Sequence, residues 1–351
     1  MQQPIRVLVV DDSAFLRKVV SQMLSRSPLI QVVATARDGE EALELVEKHR
    51  PDVVTLDLMM PGMDGVGFLK EQRRRGPVPV VVCSIAHDSG ELALGALDAG
   101  AVDFVQKPTA LATEKVFEIA DELVAKVTAA AGVRMSRVET TLGAPAAPSD
   151  AALPPGAARA AAAADLVVIG ISTGGPQALR HVIPQLPADF PVPVAMVLHM
   201  PVGYTELYAS RLDEISALHV VEAREGDVVR AGTAFLAPAG RHLGFVRGPD
   251  GSVRAHLDVR PLDTPHRPAV DVLFRSAAEV YGARVLGVVM TGMGQDGLLG
   301  AAHVKAQGGR IITEAESSCV VYGMPRAVDE ASLSDRSVPL DRMASSILEM
   351  V

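Results

Sequence analysis

The chain has 351 residues, enough for two domains, and its 48% hydrophobic and 21% charged residues are ordinary for a protein that buries cores. Aromatics are only 3% and Trp is absent, so Val, Leu, Ile, Ala and Met must fill those cores. A formal net charge of -9 argues against an electrostatic nucleic-acid binder, which needs a basic face to neutralise phosphates.

Met1-Gln2-Gln3-Pro4 leads straight into a strand-like run, without the basic stretch and apolar segment of a secretory signal. The runs Ile5–Val10, Gln31–Ala34, Val53–Leu56, Val78–Cys83 and Ala101–Val105 read as strands. They are continuous rather than alternating, as parallel strands covered on both faces require. Between them helical patterns fall at Ala14–Ser25, Glu40–Lys48, Val66–Arg74 and Gly90–Ala99, and a last helix at Leu111–Ala130 closes the unit. Five strand-then-helix repeats predict a doubly wound parallel sheet in the flavodoxin-like order over residues 1–130. Residues 131–164 are rich in Ala and Pro, and the segments Gly143–Pro148 and Leu153–Gly156 carry almost no large apolar side chain, so the stretch reads as a flexible linker. From 165 to 351 a second doubly wound α/β domain is predicted. Its strands are Leu166–Ile169, Val194–Leu198, Ala234–Ala237, Val285–Met290 and Arg310–Thr313. Its helices are Pro176–Gln185, Tyr204–Ile215, Ala269–Val280 and Gly297–Gln307, and the middle, from Val220 to Val259, looks hairpin-like. No apolar run reaches the ~20 residues that cross a bilayer. Cys83 and Cys319, far apart and each in an apolar context, read as reduced buried thiols of a cytoplasmic protein.

In the first domain the strand ends carry reactive residues: Asp11 and Asp12, then Asp57, Ser84 and Lys107. The carboxyl ends of such strands converge on one crevice. Carboxylates crowded there repel unless a cation joins them, and a hard divalent ion with oxygen ligands fits; magnesium also accepts phosphate oxygens. Lys107 can neutralise an incoming phosphoryl group as a point charge, Ser84 offers it a hydroxyl, and Asp57 is a natural nucleophile for an aspartyl phosphate. The plain alternative is a helix N-cap at Asp12 or Ser13 with solvated acids elsewhere. Asp11-Asp12-Ser13, the segment Asp57–Gly65 and the segment Asp103–Pro108 resemble a response-regulator receiver. The resemblance implies phosphorylation of Asp57, magnesium on Asp12, Asp57 and the Met59 carbonyl with Asp11 close by, and a switch through Ser84, Phe104 and Lys107. It also implies a cis Lys107–Pro108 bond and an inward pull on Ser84 and Phe104 after phosphorylation. The loop Ile85-Ala86-His87 departs from the family's usual Ser and Thr.

In the second domain Gly170-Ile171-Ser172-Thr173-Gly174-Gly175-Pro176 has the form G-x-S-x-G between a strand and a helix. Such a turn suits a nucleophile with an oxyanion site at a helix start, and equally a phosphate cradle. His199 and Asp296 each follow another strand, where both can meet Ser172; a triad is defined by geometry and not by order. His266, in Pro265-His266-Arg267-Pro268, is the rival base, read here as a substrate contact or a surface histidine. Gly170–Pro176, His199-Met200-Pro201, Leu236–His242, His266–Phe274, Thr291–Gly297 and Tyr322–Pro325 are similar to the CheB-type protein-glutamate methylesterase family.

That resemblance implies Ser172 as nucleophile, His199 as general base and then acid, Asp296 as orienting carboxylate, and Thr173 and Met293 as oxyanion donors. It implies hydrolysis of glutamate γ-methyl esters on the cytoplasmic helices of chemoreceptors, with deamidation of receptor glutamines. A histidine kinase of the CheA type would be the phosphodonor. Magnesium would serve the receiver alone, with no cofactor for the ester reaction, and the membrane would be met only through receptors. Two rivals are a receiver-coupled transcription factor, for which no basic recognition helix is legible, and a nucleotide-binding adaptor built on the Gly-rich turn.

Overall fold

The computed structural model describes residues 3–84, 90–107, 115–133 and 164–351. The chain divides into two compact units, residues 1–142 and 143–351. The expected cis Lys107–Pro108 bond, the loop 85–87 and nearly all of the linker lie outside the described residues.

The first unit alternates β1 (Ile5–Val10), α1 (Ala14–Leu24), β2 (Ile30–Ala36), α2 (Gly39–His49), β3 (Val53–Leu56), α3 (Gly65–Arg75), β4 (Val80–Ser84), α4 (Gly90–Asp98), β5 (Asp103–Gln106) and α5 (Lys115–Ala131). All strand pairs are parallel, in the order β2-β1-β3-β4-β5. This is the flavodoxin-like order. Every residue of β3 and β4 is buried, which is why these strands read as unbroken apolar runs. Helix starts are capped by side chains. Ser13 accepts the Leu16 amide, Asp38 the Glu41 amide at 2.8 Å and Asp64 the Gly67 amide at 2.6 Å. Capping is thus the role of Ser13, but not of Asp12. The fifth strand starts two residues later than expected. Ala101 and Val102 are apolar because they are buried in the approach to the strand.

The second unit contains β6 (Leu166–Ile171), α6 (Gly175–Val182), β7 (Val194–Leu198), α7 (Thr205–Glu214), β8 (His219–Glu222), β9 (Thr233–Leu236), β10 (His242–Arg247) and β11 (Val253–Asp258). There follow α8 (Val270–Tyr281), β12 (Val285–Val289), α9 (Leu298–Ala306), β13 (Arg310–Glu314), α10 (Met324–Glu330), β14 (Arg336–Val338) and α11 (Met343–Met350). Seven strands form one parallel sheet in the order β14-β13-β12-β6-β7-β9-β8. β10 and β11 pair as an antiparallel hairpin, in the region that looked hairpin-like. The edge strands β8 and β14 were not foreseen. Each buries a single residue, Val220 and Val338, and so carries no apolar run to recognise. The core packs Leu273 and Phe274 of α8, with Phe235 and Phe245, against the inner strands. From β6 the chain winds first towards β7 and later, through β12, to the other side. The switch point between β6 and β12 opens a crevice at the strands' carboxyl ends.

Candidate active site

Ser172 follows β6 directly, and α6 opens three residues later with Pro176 in its first turn. The Ser172 amide donates to the Thr291 carbonyl at 3.0 Å, and the His199 amide donates to the Ile171 carbonyl at 3.2 Å. The ends of β12, β6 and β7 therefore lie side by side around Ser172, at the switch point. His199 Nε2 and Asp296 Oδ2 are 2.9 Å apart. A carboxylate only accepts, so this bond puts the proton of the neutral ring on Nε2 and leaves the lone pair on Nδ1. Nδ1 is buried and has no hydrogen-bond partner among the described residues. The histidine–aspartate pair is thus assembled, whereas the hydroxyl-to-ring bond expected from convergence is not made in this conformation. Such bonds often tighten only when substrate binds.

Asp296 is held on both oxygens. Oδ2 also accepts the Val270 amide at 2.8 Å, and Oδ1 accepts the Asp271 amide at 2.9 Å. Burial works to raise its pKa, but the hydrogen bond from His199, with the two amides, outweighs it. The carboxyl is held below its ordinary value and stays ionised. His266 stacks on His199, with ring centroids 4.0 Å apart and planes at 25°. It braces the ring that Asp296 orients.

Thr173 is buried, and its carbonyl accepts the Thr291 hydroxyl at 3.0 Å. The Gly292 amide donates to the Val321 carbonyl at 3.0 Å, and the Gly292 carbonyl accepts the Gly323 and Met324 amides. A Cβ on Gly292 would lie 2.3 Å from Met324 Sδ and 2.9 Å from Ser172 Cβ, so the turn that leads to Met293 admits only glycine there.

Four supporting residues escaped the sequence reading. The Thr291 hydroxyl, besides meeting Thr173, accepts the Val321 amide at 3.0 Å. Glu314, fully buried at the end of β13, accepts the Thr291 amide and the Ser318 hydroxyl, both at 2.9 Å. His242 Nδ1 accepts the Ala269 amide at 3.1 Å and its Nε2 donates to the Pro261 carbonyl at 3.1 Å, which pins the loop that carries His266. Asp271 Oδ1 accepts the Gly297 and Gly300 amides. Only Glu314 left a signal: it is an acid at a strand's carboxyl end, like Asp57.

In the first unit Lys107 Nζ lies 2.6 Å from Asp11 Oδ2 and 2.8 Å from Asp57 Oδ2. Burial opposes the charge on Lys107, but Asp57 and Asp11 outweigh it and hold the ammonium above its ordinary pKa. Burial raises the Asp11 carboxyl, and Lys107 offsets part of that. Asp57 Oδ1 accepts the Leu58 amide at 2.8 Å. Donor oxygens of Asp11, Asp12 and Asp57 all lie within 4.8 Å of one another, an oxygen-only set that suits a hard divalent cation. Met59 is in the loop just after Asp57 and is 59% exposed. Ser84 and Phe104 are both buried, each 3% exposed. Lys126 of α5 donates to the Phe104 carbonyl at 2.7 Å and to Asp103 at 3.1 Å, fixing β5 from behind.

The profile of the CheB methylesterase family matches residues 167–347, and that of the response regulator receiver domain matches residues 7–116. The chain belongs to the CheB methylesterase family. It is 54% identical to "protein-glutamate methylesterase/protein-glutamine glutaminase 5" of Myxococcus xanthus (strain DK1622), over 97% of this chain and 96% of that protein. A protein-glutamate methylesterase/protein-glutamine glutaminase of Symbiobacterium thermophilum is 48% identical, over 100% of this chain and 98% of its own length. Among solved structures, the catalytic domain of the Thermotoga maritima CheB methylesterase is 42% identical with a TM-score of 0.52, covering 54% of this chain and 99% of that one. This CheB-family chain is thus a methylesterase unit preceded by a receiver unit, and Ser172, His199 and Asp296 all lie in the segment that the methylesterase profile matches.

Proposed function

We propose that this chain hydrolyses glutamate γ-methyl esters on the cytoplasmic helices of chemoreceptors, releasing methanol, and deamidates receptor glutamines by the same acyl route. The bonded His199–Asp296 pair beside Ser172, on the strand-to-helix turn, carries this reading. His199 Nδ1 takes the Ser172 proton as the hydroxyl oxygen attacks the ester carbonyl, and the ionised Asp296 stabilises the imidazolium. The amides of Thr173 and Met293 receive the oxyanion. The imidazolium then returns the proton to the departing methoxide, which leaves as methanol. Nδ1 next takes a proton from water as that water attacks the acyl-enzyme, then gives it to the departing Ser172 oxygen, and the glutamate product and the free serine result. The ester reaction uses side chains, backbone amides and water.

Residues 1–130 act as the receiver, 131–164 as the linker and 165–351 as the catalytic domain of a cytoplasmic protein of chemotactic adaptation. Among the described residues no helix is long and apolar enough to cross a membrane, and the membrane is reached through receptors only. A histidine kinase of the CheA type supplies the phosphoryl group for Asp57. Asp12, Asp57 and the Met59 carbonyl, with Asp11 close by, would hold magnesium, which when bound neutralises phosphoryl oxygens. Lys107 and the Ser84 hydroxyl take the remaining phosphoryl oxygens, and Phe104 packs beside them as part of the switch.

Ser172→Ala should lower methanol release from methylated receptor membranes on the order of 10⁶-fold in kcat, with an unchanged melting temperature. Retention of most activity would discard the mechanism. Labelling of Ser172 by a fluorophosphonate, competed by substrate and not by ATP, separates this reading from a nucleotide-binding one.

A further inference from the structure

Besides α6, two further helices begin at the Ser172 site, α8 and α9, and neither has a side-chain cap from the residue before it. The residue before α8 is Ala269 and that before α9 is Gly297, and neither makes a side-chain capping bond. First-turn amides need partners, and a helix N-terminus favours negative charge. Here each helix is capped by an aspartate from the other. Asp296, just before α9, accepts the α8 amides of Val270 at 2.8 Å and Asp271 at 2.9 Å. Asp271, in the first turn of α8, accepts the Gly297 amide at 2.9 Å and the Gly300 amide at 2.7 Å. The helices approach so closely that a Cβ on Gly300 would lie 2.6 Å from Phe274 Cβ and 3.0 Å from Asp271 Cα. Keeping two carboxylates this near each other is unfavourable, since burial and the Asp296 charge both raise the Asp271 pKa. The four amide bonds offset that repulsion.

We infer that Asp271 is a positioning residue for the ester reaction: by holding the Asp296–Gly297 turn against α8 it sets the direction of the carboxylate that orients His199. The inference rests on the proposed reading of Ser172, His199 and Asp296. Asp271 acts through Asp296, whose Oδ2 is shared between the Val270 amide and His199 Nε2. If the Gly297 and Gly300 amides lose Asp271, the turn keeps only the half of the mutual cap that Asp296 itself supplies. The carboxylate then samples orientations that leave the His199 ring free to rotate.

The test measures methanol release by the full chain with a phosphodonor, for Ser172→Ala, Asp296→Asn, Asp271→Ala, Asp271→Asn and the Asp271→Ala/Asp296→Asn double variant. Asp271→Ala should lower kcat by about 10- to 100-fold with KM within about twofold, because geometry of the base is lost and not the binding of substrate. Asp271→Asn, which keeps an acceptor oxygen, should recover most of that loss. In the Asp296→Asn background Asp271→Ala should cost nothing further in kcat, since residues that act as one unit are not additive. A purely structural residue would lower the melting temperature without this split and without this non-additivity. Wild-type kcat in Asp271→Ala, or its full loss repeated on top of Asp296→Asn, overturns the inference. Should Asp271→Ala melt below the assay temperature, Asp271→Glu decides: one methylene longer, it displaces the acceptor and should show the same selective kcat loss, and wild-type kcat there is equally fatal. Activity retained by Ser172→Ala would sink the triad reading and this inference together. A dead Ser172→Ala beside a normal Asp271→Ala would sink this inference alone.

Discussion

Thr291 spends its one hydroxyl twice: it donates to the Thr173 carbonyl and accepts the Val321 amide, both at 3.0 Å, while Glu314 takes its amide. Thr291 is 1% exposed and Thr173 3%, while Val321 is half-buried. Thr291→Val keeps the shape and removes the hydroxyl. Each buried group left unpaired costs about 1–3 kcal/mol. The variant should melt several degrees lower, at about 2–4 °C per kcal/mol for a domain of this size. Thr291→Ser should restore most of the loss, and equal melting of Thr291→Val and wild type in calorimetry would refute the bonding scheme. His242 offers a prediction in pH. Burial, aided by Arg267, lowers its pKa below the ordinary 6.5, against the opposing pull of the Pro261 carbonyl, Asp296 and Asp258. A proton on Nδ1 would also displace the Ala269 amide. The folded state therefore prefers the neutral ring. The stability His242 contributes is fully present above 6.5 and is lost as pH falls through the depressed folded value. Burial of His181 acts in the same sense. Melting curves from pH 7.5 to 5 should fall with acid, and His242→Gln should flatten the slope. An unchanged slope would assign the effect elsewhere.

At the scale of elements, what matters is how strand ends are tied together. The turn after β12 ties two other segments together: Gly292 bonds Val321, Gly323 and Met324, and Thr291 bonds Ser172 and Thr173. The Gly292→Ala Cβ has no space between Met324 and Ser172. Overpacking of this kind costs about 1–3 kcal/mol, and here the strain falls on the nucleophile itself. The variant should lose at least about tenfold in methanol release, since small misplacements near the reacting atoms are expensive. Near-normal release would show that the turn yields. Inner elements such as β3 and β7 were legible to the residue because every residue in them is buried and all but Thr55 are apolar, and β1 is buried and apolar from Val7 to Val10. The edges β8 and β14 were not, because each buries only one residue. The helices α10 and α11 were missed for want of length: seven and eight residues leave little periodicity to read.

Among the described residues each unit has its own main sheet, and no strand is shared between the two. Residues 165–351, expressed alone, should therefore fold and release methanol at a rate that no phosphodonor alters, while the full chain responds to one. A phosphodonor effect on the isolated segment would place regulation outside the receiver. The alternation of apolar strands and amphipathic helices settled both doubly wound folds from sequence. The same pattern placed Ser172, His199, Asp296 and Asp57 at strand ends, because parallel sheets bring those ends to one crevice whatever the intervening chain. Which ring nitrogen faces Asp296, the stacking of His266, the clamp of Thr291 and Glu314 and the mutual capping by Asp271 and Asp296 belong to the tertiary structure alone. Their partners are backbone amides and carbonyls of segments distant in the chain. Every residue type carries such groups, so nothing in an amino-acid sequence marks which of them a given side chain will meet.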